Sequence, residues 1–374
     1  MRVAIVHDWL NQFGGAEQVL EVLHRLYPSA PIYTSMYDPM AMPPHYRTWD
    51  IRPSFIQRLP FARSHHQLFL PFYPLAFESF DLSDYDLVIS NSSGFCHGVI
   101  TRPETCHINY CLTPPRFLWN LPQYVQRERL GSLAQTLLLP LIGILRTWDA
   151  VAAGRVDYFI GISKAVVNRI RKFYRRAATL LYPPVNTDRF PISTEVGEYF
   201  LVVSRLIPYK RVDLAVRAFT SLRLPLIIVG DGRDRRSLEA MAGPTVRFLG
   251  RVPEDELRHI VSKCRAFIFP GEEDFGIAPL EAMAAGRPVI AYAGGGALET
   301  VVPGVTGELF HVPTAEALAE AVLQFRPERY DPLVIAQHAR RFDTSVFMEE
   351  FTRMVQEMLE QHGHSQRRSA ELIS

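Results

Sequence analysis

From residue 199 onward, short apolar runs alternate with amphipathic stretches in a regular rhythm. YFLVVS (199–204), LIIVG (226–230), VRFLG (246–250), AFIFP (266–270) and PVIAY (288–292) are all strand length. Their apolar residues run on without alternation, which predicts strands buried on both faces. The stretches between them carry apolar residues at helical spacing and predict helices over 211–221, 233–242, 254–263 and 279–285. One helix per connection is the pattern of a doubly wound parallel sheet.

The first half repeats this less regularly. Residues 3–6 predict a buried strand, and Gly14-Gly15 opens a helix on Val19, Leu20, Val22, Leu23 and Leu26 that Pro28 ends. Further strands are predicted over 87–90, 108–111 and 158–162. Residues 39–80, rich in Pro, Phe and His, fit neither period, and a stretch that long is expected to hold short helices and a functional insertion. The joint falls at Tyr182-Pro183-Pro184-Val185-Asn186-Thr187-Asp188, where two prolines stiffen an extended connector. The expected organisation is an α/β domain over 1–185 and a second over 186–342. Residues 343–374 then form a C-terminal helix that packs back on the first domain and ends in a flexible polar tail. Each sheet offers a ligand crevice at the C-terminal ends of its strands. The most apolar stretch, LAQTLLLPLIGIL (133–145), is interrupted by Pro140 and too short to span a bilayer. It reads as a buried or groove-lining helix, with an interfacial membrane helix as the alternative. The apolar run at 3–6 is too short for the core of a signal peptide.

Composition narrows the class. In 374 residues, 40 Lys/Arg face 39 Asp/Glu for a formal net charge of +1, without the basic excess a nucleic-acid binder needs. With 23 Phe, 15 Tyr and 4 Trp, the chain is not disordered. Cys96, Cys106, Cys111 and Cys264 are too few and too irregular for a disulfide framework or a structural zinc site, so a reducing cytosol is expected. The charge is uneven, with 19 Lys/Arg against 14 Asp/Glu in residues 1–190 and 21 against 25 thereafter. Either a mildly basic half meets something anionic, or the difference is ordinary fluctuation.

Three loops could carry chemistry. Gly14-Gly15-Ala16-Glu17 places small residues and a helix N-terminus after a strand, the makings of an anion site; a loop needing two flexible residues is the alternative. Ser204-Arg205-Leu206-Ile207-Pro208-Tyr209-Lys210-Arg211 directly follows a strand, so the Arg205 fork and the Lys210 point charge fall on the ligand edge and suit a diphosphate. Lys210 is one of only four lysines, although a solvated basic loop would read the same. The third loop carries Glu273 and leads to Glu281 in the first turns of the next helix, where carboxylates can accept from sugar and ribose hydroxyls. Phe275-Gly276-Ile277 between them could offer backbone N–H groups to a phosphate. A glycosidase acid/base pair would leave the basic loop unexplained, and helix-capping acids are the plain alternative.

Glu273-x7-Glu281 around Phe-Gly-Ile, the Arg205/Lys210 loop, Val229-Gly230-Asp231-Gly232 and Gly14-Gly15 together resemble glycosyltransferase family four, over about residues 1–360. Cys111-x-Thr113-Pro114-Pro115-Arg116-Phe117-x-Trp119 is similar to its bacterial mannosyltransferase-like branch. The resemblance implies the GT-B fold, two Rossmann-like doubly wound domains facing a central cleft, with the acceptor bound by 1–185 and the nucleotide-sugar donor by 186–342. It implies retaining transfer from a nucleotide-diphosphate sugar, with a GDP-linked mannose-type donor favoured, to a glycan or lipid-linked acceptor in polysaccharide assembly. Arg205 and Lys210 would then hold the diphosphate, Glu273 the donor-sugar hydroxyls and Glu281 the ribose. Phe275, Gly276, Ile277 and Ala278 would line the sugar and phosphate, with Gly14 and Gly15 closing over the phosphates. The backbone of Arg251 and Val252 would meet the base. No metal and no cofactor beyond the donor substrate is implied. The expected location is cytoplasmic or peripheral at the inner membrane face, without a nucleic-acid partner.

One position departs. Members of this type read Tyr-x-His-Thr/Ser-Pro where this chain reads Tyr110-Cys111-Leu112-Thr113-Pro114, so no catalytic histidine carries over. His97 and His107 match no motif and are expected to be structural or acceptor-side. Leu112 suits a methyl group, hence a donor sugar without a 6-hydroxyl. A GT-B nucleotide-sugar epimerase and a non-catalytic sugar-nucleotide-binding subunit are the rival readings. Asp84-Tyr85-Asp86 reads as the start of a strand, His65-His66 lacks a third ligand, and His7-Asp8 either faces the cleft or caps. The first glycine cluster lacks the G-x-G-x-x-G of a nicotinamide dehydrogenase.

Overall fold

The computed structural model describes residues 1–61, 66–121, 132–193 and 195–373. Contacts divide the chain into Met1–Tyr182 with Phe347–Ser374, and Pro183–Val346. In the first unit β1 (Val3–His7), β2 (Ile32–Thr34), β3 (Ile51–Pro53), β4 (Leu87–Ser92), β5 (Cys106–Cys111), β6 (Tyr158–Gly161) and β7 (Ala178–Leu180) form one sheet. Its order is β3-β2-β1-β4-β5-β6-β7. In the second unit β8 (Phe200–Val203), β9 (Leu226–Val229), β10 (Val246–Gly250), β11 (Phe267–Phe269), β12 (Val289–Tyr292) and β13 (Gly307–Phe310) take the order β10-β9-β8-β11-β12-β13. Every pairing is parallel, with Ile5 opposite Ile32 and Ile89 in the first sheet and Leu201 opposite Ile227 and Phe267 in the second. Strand order therefore reverses between β1 and β4 and between β8 and β11, the points where open α/β sheets bind ligands. The expectation of two Rossmann-like, doubly wound α/β domains holds.

The predicted helices of the second unit appear as Val212–Leu222, Arg235–Met241, Glu254–Lys263 and Ile277–Ala284. The strands that periodicity misses are short. β2, β3 and β7 have three residues each, too few to show a period, and β13 opens on Gly307. Residues 39–80 contain β3, single turns at Pro44–Thr48 and Phe55–Arg58, and the helix Tyr73–Glu78. Tyr46, Ile56, Tyr73 and Phe77 within it are fully buried, and Tyr73 stacks on Phe95 at 5.3 Å. Much of that stretch is a layer of core.

The apolar stretch at 133–145 belongs to the longer helix Ser132–Ala152, with Pro140 inside it. Ile142 and Leu145 are buried, while Leu139, Ile144 and Val151 are 52%, 68% and 61% exposed. No described helix is long and apolar enough to cross a membrane. The C-terminal helix runs from Thr344 to Ile373, so the expected flexible tail is helical instead. Phe347 and Phe351 on it are buried edge-on against Tyr110, with ring centroids at 5.5 and 6.1 Å.

Candidate functional site

The loops after β8 and β11 flank the switch point of the second sheet, and they carry the two strongest constellations. After β8, Leu206 N–H donates to Asp231 (3.0 Å) and its carbonyl accepts from Asp234 N–H (3.0 Å), which ties this loop to its neighbour. A single turn, Pro208–Lys210, then leads through Arg211 into Val212–Leu222. Lys210 Nζ forms an ion pair with the Glu273 carboxylate. The two side chains are only 15% and 19% exposed, so water screens the pair weakly. Arg205 is exposed, its guanidinium 3.4 Å from the Tyr209 hydroxyl.

Glu273 is held from behind. Its carbonyl accepts from Gly296 N–H (2.9 Å), and it bridges Gly295 in parallel register. Gly295 has φ +56°, and a Cβ there would sit 2.0 Å from the Glu273 oxygen. The glycine run after β12 is thus part of the site, although the sequence reading assigns it no role. Its signal was Gly294-Gly295-Gly296, one residue past a predicted strand. Gly276, at φ +92°, starts the helix Ile277–Ala284, and no side chain caps that helix. Pro279 brings no N–H, so Ile277 and Ala278 offer the first-turn donors and the positive helix end. The Phe275 ring is buried against Phe342 (5.8 Å), which leaves only its backbone available to a ligand.

The Glu281 carboxylate, one turn further on, has no hydrogen-bond or ion-pair partner among the described residues. Burial pushes its carboxyl above the usual range, partly offset by Arg189 and reinforced by Glu254. Arg189 itself pairs with Glu254 at 2.9 Å. Arg251 is exposed and Val252 half-buried, just ahead of the helix Glu254–Lys263. A raised, unpartnered carboxyl is costly to the free fold and is the kind of group kept for a ligand.

In the first unit, Gly14 caps the helix Gly15–Leu26 at φ −168°, and a Cβ there would meet only Glu17 Oε2 at 3.5 Å. Local geometry does not demand glycine at that position. The buried His7 Nε2 lies 3.3 Å from Glu17 Oε1, and Asn91 bridges His7 Nδ1 (3.2 Å) and the Ala16 carbonyl (2.9 Å). Asp8 caps the loop after β4, accepting N–H bonds from Ser93 (2.6 Å), Phe95 (2.8 Å) and Cys96 (2.9 Å). Asp86 accepts the Arg2 N–H (2.6 Å) and Asp84 pairs with the Arg2 side chain (3.3 Å), a structural use of both. His97 and His107 are buried, and burial with the nearby His97 lowers His107 to about 3, so it stays neutral. Leu112 is half-buried where β5 ends, its N–H donating to Ser92 (2.7 Å). His65 lies outside the described residues.

Residues 184–341 match the family model described as glycosyl transferases group 1. That match falls in the second unit, around Lys210 and Glu273. A GDP-mannose-dependent alpha-(1-6)-phosphatidylinositol monomannoside mannosyltransferase of Mycolicibacterium smegmatis is 32% identical over 214 residues, 49% of this chain and 56% of that protein. An uncharacterised glycosyltransferase of Methanocaldococcus jannaschii is 29% identical over 175 residues, 45% of this chain and 49% of that protein. The chain spans about half the length of the curated relatives it matches. Among solved structures, sucrose-phosphate synthase from Thermosynechococcus elongatus aligns with a TM-score of 0.72 at 18% identity, over 96% of this chain and 100% of that one. Anabaena HepE in complex with UDP and glucose aligns with a TM-score of 0.67 at 19% identity, over the same shares. These structural neighbours are glycosyltransferases of the GT-B fold, and at such identities they show the fold alone.

Proposed function

We propose that this chain is a retaining glycosyltransferase that moves a hexose or 6-deoxyhexose from a GDP-linked donor to a glycan or lipid-linked acceptor. The observation that carries this reading is the Lys210–Glu273 pair beside the uncapped start of Ile277–Ala284. Lys210, Arg205 and the helix end would stabilise the charge that develops on the departing diphosphate. Glu273 would accept from the donor-sugar hydroxyls and Glu281 from the ribose, with Arg251 and Val252 at the base. The mannosyltransferase relatives support a guanine nucleotide. Gly14 and Gly15 are proposed phosphate contacts, supported by the absence of a local reason for glycine at 14. Retention, with the departing phosphate helping to deprotonate the acceptor, rests on the resemblance, as does the absence of a metal requirement.

The exposed Ile144 and Val151 of Ser132–Ala152 line a groove of about 580 Å³ with Pro140, Gly143, Thr147 and Trp148, which supports a lipid-linked acceptor and peripheral membrane contact. Leu112 supports a 6-deoxy donor, because it would leave a 6-hydroxyl without a partner.

The test measures released nucleoside diphosphate and glycosylated product across a donor panel, with the acceptor varied. Transfer with matched nucleotide release is expected, and Lys210→Ala or Glu273→Ala should lower it by roughly 10²-fold or more while the fold stays intact. Wild-type turnover in either variant overturns the site. Donor isomerisation without matched release would indicate an epimerase, and binding without turnover a silent subunit. Preference for GDP-mannose over every 6-deoxy donor removes the role given to Leu112.

A further inference from the structure

We infer that Cys106, Asp157 and His362 form a binding site for a thiophilic divalent cation, zinc above all, at the N-terminal edge of the first sheet. Cys106 opens β5, Asp157 immediately precedes the neighbouring β6, and His362 comes from the C-terminal helix, 205 positions beyond Asp157 in the chain. The tertiary fold brings one thiol sulfur, one carboxylate oxygen and one imidazole nitrogen within 4.8 Å of one another. A sulfur, nitrogen and oxygen set suits zinc and excludes magnesium or calcium, which need oxygen ligands.

Three further observations point to a ligand. The Cys106 thiol is 1% exposed and has no hydrogen-bond partner among the described residues. The Asp157 carboxylate is aimed by the His107 N–H (2.8 Å), a backbone donor of the kind that orients metal-binding carboxylates. A cavity of about 240 Å³, lined by Ile100, Thr101, Arg102, Pro103, Arg155 and Asp157, opens beside the group and leaves room for a water as fourth ligand. Of its two arginines, Arg155 is already neutralised by Glu78 at 2.6 Å.

His362 Nδ1 is 4.0 Å from Asp157 Oδ2, and its Nε2 is 2.8 Å from the Gln366 amide. Binding through Nδ1 requires Nε2–H to donate, so the Gln366 amide must turn its oxygen toward it and release the Pro103 carbonyl it now contacts at 2.8 Å. A bound cation would fasten the helix Thr344–Ile373 to the sheet beyond the contacts made by Phe347 and Phe351.

The full chain, carrying no polyhistidine tag and stripped with a chelator, is titrated with cobalt(II) and then zinc(II). One equivalent of cobalt should give a thiolate-to-metal charge-transfer band that zinc abolishes, and zinc should raise Tm. Cys106→Ser and His362→Ala should each remove the band and weaken zinc at least ten-fold, while Cys264→Ser in the second unit keeps both. Gln366→Glu should tighten zinc binding, because a carboxylate accepts from Nε2–H without turning. His362 is only half-buried, so its alanine variant folds even if Cys106→Ser does not. Absence of the band, or a band that survives in His362→Ala, overturns the site.

Discussion

Lys210 and Glu273 occupy one another in the free chain, so neither residue can be removed without leaving a mostly buried charge unpaired. Lys210→Ala should lower kcat by roughly 10²- to 10³-fold, the cost of one lost stabilising donor at a developing anion. It should also lower Tm, and the double variant Lys210→Ala/Glu273→Gln should recover Tm without recovering turnover. Thermal melts beside nucleotide-release rates separate the two effects. Glu281 behaves in the opposite sense. Its carboxyl is raised by burial above the ordinary 4.5, so the charged form destabilises the folded chain, and stability rises as pH falls through that raised value toward 4.5. Glu281→Gln should therefore leave Tm at pH 7 unchanged or higher, while nucleotide affinity falls about ten-fold, the worth of a hydrogen bond to a charged acceptor. Calorimetry with GDP and melts from pH 5 to pH 7 check both halves; a variant with lower Tm and unchanged affinity would falsify the ribose role. The residue types were legible because a loop cation and two carboxylates follow predicted strands. Their ion pair was not, because Lys210 and Glu273 meet only when β8 and β11 lie side by side.

At the scale of elements, the loop after β12 is a clamp on the loop after β11. A Cβ on Gly295 would meet the Glu273 oxygen at 2.0 Å in a backbone already at φ +56°. Gly295→Ala should cut transfer at least ten-fold by displacing Glu273. Gly304→Ala is the control, since φ there is +75° but no atom lies within 4 Å of the added carbon. It should cost about 1 kcal/mol of stability and leave turnover near wild type. Equal activity loss in both would mean that strain, not displacement of Glu273, is responsible. Long apolar runs such as 246–250 showed their strands in the sequence, whereas a three-residue strand such as Ile51–Pro53 is decided by pairing with its neighbour.

At the scale of the whole molecule, the second unit begins and ends at one place. Val185 N–H donates to Phe342 (2.9 Å), Thr344 N–H donates back to Val185 (3.0 Å), and the Thr187 hydroxyl donates to Asp343 (2.6 Å). Burial pushes the Asp343 carboxyl up, but hydrogen bonds from Ser345 and Thr187 outweigh it and hold it below the usual carboxylate range. Its contribution is therefore present above the ordinary 3.8 and lost as pH falls through the lowered value. Asp343→Ala should lower stability by about 1 to 2 kcal/mol at pH 7. Wild type and variant should converge well below pH 3.8, as urea melts across that range would show.

By itself, the sequence determined two alternating α/β segments, their joint near two prolines and the loops that carry charge, because buried strands, amphipathic helices and turn residues leave local patterns. Only the tertiary structure decided that Lys210 meets Glu273, that Gly295 holds Glu273 from behind and that the C-terminal helix brings His362 to Cys106 and Asp157. Each of these is a contact between segments far apart in the chain. Such a contact depends on strand order and register, and neither leaves a trace in local periodicity.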